Sequence, residues 1–446
     1  MHARRLRALW EECFRGALTR PGFVNLVVVL TGWVLTHGPH AVTEALVATG
    51  VAGRRHWEAF HRFFSRGTWS ADELGRRVFE RLLRYAGDGA LRAVIDDTIT
   101  PKKGPHVFGI GSHLDAVRST RRHRVFVFGH CWVVLAVLVR VPFSSRAWAL
   151  PVLFRLYRNK KECMRRDAVY KKKTELAREM LDVFVSWSGG RRVEVAADGA
   201  YCNDTVSRGL PDHVILFGAM RPDAVLTEPP PMQTQRGAGR PRKRGRELRK
   251  PEKIGADGRT AWQTTTATLY GRVTKVRFKT LCAQWYRATG TRLLRIVIVE
   301  CTTGSLPVRV FFSSDPTLDP ATILETYAGR WSIEVFFRDA KQLLGFADSQ
   351  ARKENAVRRV APLIGLLYST LVIWFVEGIH TSAVAQPPVR PWYRHKRGRA
   401  FTDVLRAAQR ALADQDVLDP CCYSEDLREL KSSFGAAATS RLRSAA

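Results

Sequence analysis

Residues Tyr327–Lys341 read YAGRWSIEVFFRDAK, and their spacing sets the terms for the rest of the chain. On a helix turning about 100° per residue, Tyr327, Arg330, Glu334 and Lys341 fall at roughly 0°, 300°, 340° and 320°. They share one face, while Ile333, Phe336, Phe337, Ala340, Leu343 and Leu344 lie on the opposite, apolar arc. The segment therefore reads as a helix that buries one side and presents a carboxylate flanked by a guanidinium, an ammonium and a phenol. Taken alone it also fits a solvated face with an i,i+4 Arg–Glu pair, so the other segments decide.

Upstream, two short apolar runs each end in acid. Ala93-Val94-Ile95 leads into Asp96-Asp97-Thr98, and Val193–Ala197 leads into Asp198-Gly199-Ala200-Tyr201. Such runs read as buried strands, as do Arg124–Phe128, Trp132–Val141 and His213–Phe217. With a charged helix expected over about 165–184, strands, helix and strands describe an α/β core. An acid at the carboxyl end of a strand in an open sheet stands where ligands bind. Three carboxylates converging there repel one another unless a divalent cation neutralises them. Hard oxygen donors suit Mg2+ or Mn2+, and two such ions activate water or a 3′-hydroxyl in phosphodiester chemistry.

The bulk composition points the same way. Seventy-two Lys and Arg against 41 Asp and Glu give a net charge of +31 and a pI near 10.6. An excess on that scale argues for a polyanionic partner, because each neutralised phosphate releases counterions. Apolar residues make up 45% of the chain, which excludes a disordered protein. The eight cysteines show no CxxC pairing, so structural zinc is not expected and a reducing cytoplasm fits. The apolar runs near Phe23–Leu35, Val125–Val141 and Val360–Val376 are short or interrupted. They read as buried core elements rather than membrane spans.

Five regions are expected. Residues 1–88 form a helical DNA-binding domain, 89–225 the first part of the core, and 226–305 a basic loop with a β-rich insertion. Residues 306–380 complete the core, and 381–446 are a basic C-terminal region with a flexible tail. Within the first, Ala41–Thr49, Gly50 and Gly53–Ser65 outline helix, glycine turn and helix. Arg54, Arg55 and Arg62 would then meet a groove or phosphates; an αα-hairpin with a basic face fits equally. After Pro229-Pro230-Pro231 comes GRPRKRGR at Gly239–Arg246. Its Arg240, Arg242, Lys243 and Arg244 suit phosphate binding, with minor-groove reading as the alternative.

Tyr327-x-x-Arg330-x-x-x-Glu334-x6-Lys341 resembles the Tyr-Arg-Glu-Lys motif of bacterial insertion-sequence transposases of the DDE type. Asp96-Asp97-Thr98 with Pro101-Lys102-Lys103-Gly104, and Ala197-Asp198-Gly199-Ala200-Tyr201, look like that family's two aspartate blocks. The similarity runs from about residue 54 to 380. It implies a ribonuclease-H-like catalytic core interrupted by the β-rich insertion and preceded by the α-helical DNA-binding domain. It implies Asp97, Asp198 and Glu334 as catalytic metal ligands for two Mg2+ or Mn2+ ions, with Asp96 the alternative in the first block. Tyr327, Arg330 and Lys341 would hold phosphates of the transposon end, and Lys102 and Lys103 are further candidates to reach DNA. Family members with such insertions stack an aromatic on a flipped base, for which Trp262 and Trp285 are candidates. The implied activity is cut-and-paste transposition at terminal inverted repeats of double-stranded DNA, by a dimer on the bacterial nucleoid, with no membrane involved. A catalytically silent DNA-binding derivative and a metal-dependent nuclease that never joins strands are the alternatives.

Overall fold

The computed structural model describes residues 1–413 apart from 105, 116–117, 121, 232–241, 302–307, 389–390 and 393–397. Arg240 and the tail from 414 lie outside the described residues. Five helices come first: α1 (His2–Phe14), α2 (Arg20–Leu35), α3 (Val42–Ala48), α4 (Glu58–Ser65) and α5 (Ala71–Leu82). Strands β1 (Leu91–Pro101), β2 (Gly111–Leu114), β3 (Phe126–Arg140) and β4 (Ala147–Tyr157) follow, then α6 (Lys160–Arg165) and α7 (Lys173–Trp187). Next are β5 (Val193–Ala197), α8 (Asp204–Ser207), β6 (Val214–Met220), α9 (Pro251–Ala256), β7 (Gln263–Leu269) and β8 (Arg272–Gln284). The chain continues through α10 (Tyr286–Thr289), β9 (Leu293–Glu300), β10 (Val308–Ser313), α11 (Pro320–Gly329) and α12 (Ser332–Leu343). Helices α13 (Glu354–Trp374) and α14 (Phe401–Leu412) close it.

One mixed ten-stranded sheet carries the fold, in the order β2-β3-β1-β5-β6-β10-β9-β8-β7, with β4 also paired to β3. β4, β3 and β1 are antiparallel neighbours, whereas β1, β5 and β6 run parallel. The central strands read as unbroken apolar runs because helices cover both faces, and Cys131–Val137 is buried without interruption. Gly129 explains why two expected strands form the single strand β3. A Cβ there would lie 2.2 Å from the Thr100 carbonyl, so glycine lets β3 pass β1 closely. The β-rich stretch is not a separate layer: β10 pairs β6 and carries β9, β8 and β7 onto the same sheet.

The expected helix at 165–184 is two helices, parted at 166–172, where Asp167 adopts a positive φ of 47°. The expected tight turn between α3 and α4 is longer, spanning 49–57, where a helix-turn-helix uses about three or four residues. The N-terminal helices share a core with the C-terminal ones. Trp10 Nε1 donates to Thr370 Oγ1 at 3.1 Å, Trp374 Nε1 donates to the His2 carbonyl at 3.1 Å, and the Tyr368 and Phe401 rings stack at 4.2 Å. Among the described residues one helix, from Glu354 to Ile379, is long and apolar enough to span a membrane, and 89% of its apolar window is buried in the fold.

Candidate active site

The ladder between β1 and β5 ends at Ile95 opposite Ala197. Asp96 and Asp198 therefore follow as the first residues beyond it, Asp96 midway along β1 where that strand keeps only its β3 partner, and Asp198 just past the carboxyl end of β5. The third acid arrives from the far end of the chain. α11 stops at Gly329 and α12 starts at Ser332, so Tyr327–Lys341 is not one continuous helix. The joint is tightened: Arg330 N–H donates to the Tyr327 carbonyl, Trp331 to Ala328, and Glu334 to Trp331, each three residues back. Such 3₁₀ bonding turns about 120° per residue, which swings Arg330 toward β1. Its Nη1 donates to Asp96 Oδ2 at 2.5 Å and its Nη2 to Glu334 Oε1 at 3.0 Å. One guanidinium thus joins two carboxylates that are 238 positions apart in sequence, Asp96 on β1 and Glu334 on α12.

Asp96 is largely buried, 17% exposed, whereas Glu334 is 46% exposed. Burial pushes the Asp96 carboxyl up to about 7; Arg330 and the Asp97 N–H oppose this, and the charges of Asp97 and Asp198 add to it. For Arg330, burial works against the charge, but Asp96, Tyr327 and Glu334 outweigh it and hold its pKa above the ordinary value. The guanidinium lies 5.7 Å from the centre of the Tyr327 ring, which in turn packs on Phe311 at 4.8 Å. Lys341 sits two turns beyond Glu334 on the same face of α12. Burial lowers its pKa, with the charge of Asp115 the largest opposing influence.

Asp97, the residue expected as first ligand, is on the other face of the sheet. Successive side chains of a strand point to opposite sides, and Asp97 meets a different set of partners. Lys173 Nζ donates to its Oδ2 at 2.6 Å, the Tyr201 hydroxyl to its Oδ1 at 2.6 Å, and the Cys131 thiol to Oδ2 at 3.5 Å. Asp96, the alternative in the first block, is the acid that shares the Arg330 guanidinium with Glu334. Lys173 and Tyr201 carried no signal of this role, although Tyr201 stood in the second aspartate block; the period of a strand already put Asp96 and Asp97 on opposite faces.

A divalent cation fits the donor chemistry. Asp96, Asp198 and Glu334 offer only hard oxygens, and burial, with the neighbouring charges of Asp97 and Asp198, disfavours the charged form of Asp96. Among the described residues no three His, Cys, Asp or Glu already stand together at ligating distance; the Arg330 guanidinium stands between Asp96 and Glu334.

The other expected contacts lie elsewhere. Arg62 pairs with Glu58 at 2.7 Å, and Arg55 lies over the Phe60 ring at 5.6 Å. Arg54 is exposed in the connector before α4. Of these, Arg62 and Glu58 border a cleft of about 370 Å³ between α4 and the start of α13, whose rim also carries Trp57, Arg66, Arg352 and Lys353; Arg54 and Arg55 are not part of its lining. Arg242, Lys243 and Arg244 are exposed beside α10, with Arg244 over the Tyr286 ring at 5.6 Å. Lys102 does not reach outward: its half-buried ammonium donates to the Ala347 and Ser349 carbonyls at 2.5 and 2.6 Å, pinning the segment after α12 to the end of β1. Trp262 lies under the Lys279 ammonium at 4.7 Å, and Trp285 packs edge-on to Phe312 at 5.7 Å.

Comparison with curated proteins found no match. Among solved structures, a piggyBac transposase synaptic complex with hairpin DNA, determined by cryo-EM, is similar at 9% identity and a TM-score of 0.38. The similarity covers 92% of this chain and 75% of that one. A family model described as DDE superfamily endonuclease matches residues 13–278, which include both aspartate blocks and end before Glu334. With more than half of its length matched, this α/β chain belongs to the DDE superfamily of endonucleases.

Proposed function

We propose that this protein is a DNA transposase of the Tyr-Arg-Glu-Lys group, mobilising a bacterial insertion sequence by cut-and-paste. The observation that carries the reading is the Arg330 guanidinium held between Asp96 and Glu334, beside Asp198. It gathers acids from three distant segments where the β1–β5 ladder ends. In this reading Asp96, Asp198 and Glu334 hold two Mg2+ or Mn2+ ions; Asp96 takes the place first expected of Asp97. Bound there, the ions supply activation of water or a 3′-hydroxyl and stabilisation of the leaving oxygen.

The chain's own groups do the rest. Arg330, Lys341 and Tyr327 bind phosphates of the transposon end, so a phosphate that engages Arg330 also releases Asp96 and Glu334 for metal. The strand order β4-β3-β1-β5-β6, three antiparallel strands followed by two parallel ones, supports a ribonuclease-H-like core. The +31 charge and the basic rim of the α4–α13 cleft support binding of double-stranded DNA by Arg62, with Arg54 and Arg55 adding contacts from the connector before α4. Arg240, Arg242, Lys243 and Arg244 would add contacts along the duplex. Pairing two ends requires a dimer, and the substrate places the enzyme on the bacterial nucleoid, in the cytoplasm.

Excision in a surrogate bacterium tests the proposal. A plasmid carrying the gene and its native flanks is compared with a Glu334→Gln version, and the donor junction is amplified. Rejoined junctions are expected with the unaltered gene only. Their absence, with soluble protein and intact flanking repeats, overturns the reading.

A further inference from the structure

Asp97 touches the proposed metal site through both halves of the residue without facing it. Its backbone N–H donates to Asp96 Oδ1 at 2.8 Å. Its carboxylate accepts the Tyr201 hydroxyl at 2.6 Å, and the Tyr201 backbone N–H donates to the Asp198 carbonyl at 2.8 Å. A chain of hydrogen bonds thus runs from Asp96 through Asp97 and Tyr201 to Asp198. It lies inside the protein, Tyr201 being only 1% exposed.

The location gives this chain its purpose. The β1–β5 ladder ends at Ile95 and Ala197, so both aspartates of the site lie one residue past the last pairing between these two strands, while β1 stays paired to β3 as far as Pro101. Beyond that point β5 turns away into Gly199–Tyr201, and the Asp97–Tyr201 bond is the cross-link that follows the ladder. A carboxylate offers about four lone-pair sites; Asp97 has used three on Tyr201, Lys173 and Cys131. That leaves it poorly suited to be a ligand and well suited to be an anchor.

We infer that Asp97 is a positioning residue that, through Tyr201, sets the separation of Asp96 and Asp198 on which divalent-cation binding depends. The inference rests on the proposed assignment of Asp96, Asp198 and Glu334 to the metal. Lys173, at the start of α7, neutralises the anchor and ties that helix to the same point.

Mn2+ binding to the full-length protein without DNA, read from the electron paramagnetic resonance signal of free Mn2+, tests it. Asp96→Asn is expected to lose binding. Tyr201→Phe, which removes one hydroxyl, is expected to weaken binding about tenfold. Asp97→Asn, which still offers Tyr201 an acceptor, is expected to weaken it less than Asp97→Ala. Thermal midpoints are read alongside, because a merely structural role lowers the midpoint and leaves the Mn2+ affinity of the folded protein unchanged. Wild-type affinity in both Tyr201→Phe and Asp97→Asn overturns the inference while leaving the metal site standing. Loss of binding in Asp97→Asn with retention in Asp96→Asn overturns it by making Asp97 the ligand. Absence of binding in the unaltered protein sinks the metal assignment itself, and the anchor role with it.

Discussion

The two faces of β1 at residues 96 and 97 put the same carboxylate into opposite circumstances. On one face Asp96 shares a single guanidinium with Glu334 beside Asp198, and burial disfavours its charged form. On the other, Asp97 has an ammonium, a phenol and a thiol to itself. A buried acid with its own full set of partners stabilises a structure. One held short of partners beside other acids is poised to take a cation or a proton. Neighbours in sequence are thus divided between chemistry and architecture by which side of a sheet they face.

The largest effect is expected from substitutions that separate those roles. Asp96→Asn and Glu334→Gln should each lower cleavage of donor DNA by more than about a hundredfold, beyond the usual range for residues that only support ligands. Asp97→Asn should fall within that range. Gel-resolved cleavage at fixed Mg2+ decides, and a larger loss from Asp97→Asn than from Asp96→Asn breaks the comparison.

A second prediction concerns the Asp96 face farther along β1. Thr100 pairs with His130, whose Nε2 bonds the Phe108 carbonyl at 2.8 Å. Burial lowers the His130 pKa to about 4, against the Phe108 contact. Because the unfolded chain takes up this proton first, stability should be complete above about pH 6.5 and decline as pH falls toward about 4. The loss attributable to His130 is on the order of 3 kcal/mol. Thermal midpoints across that window should fall less steeply in His130→Gln; identical slopes would remove His130 as the cause.

The Asp97 face should show a stability cost where the Asp96 face shows a catalytic one. Lys173→Met leaves Asp97 without its counter-charge and should cost about 2 kcal/mol, less than for a fully buried pair because both groups retain some exposure. An Asp97→Leu/Lys173→Met double variant should recover part of that loss in thermal melts. No recovery would mean that the pair is not what holds α7 to β1. The smallest effect belongs to the surface. Arg62→Ala should weaken DNA binding less than about tenfold and reduce the slope of log affinity against log salt by about one. An unchanged slope would place the duplex away from α4.

Local sequence was enough for the elements that build the site. The apolar runs before Asp96 and Asp198 form adjacent parallel strands, and the apolar arc of Ile333, Phe336, Phe337 and Ala340 is buried as its spacing required. Periodicity reports which residues of a segment share a side, because side-chain direction follows from backbone geometry alone. It does not report what that side meets. Strand period separates Asp96 from Asp97, yet only the packing of α11 and α12 on one face and α7 on the other assigns Arg330 to the first and Lys173 to the second. The 3₁₀ joint at Arg330, the continuation of the sheet through β10, and the Asp97–Tyr201 clasp have the same origin. Each is a contact between segments far apart in the chain, fixed by the energy of the whole packed core, and no window of local sequence contains both partners.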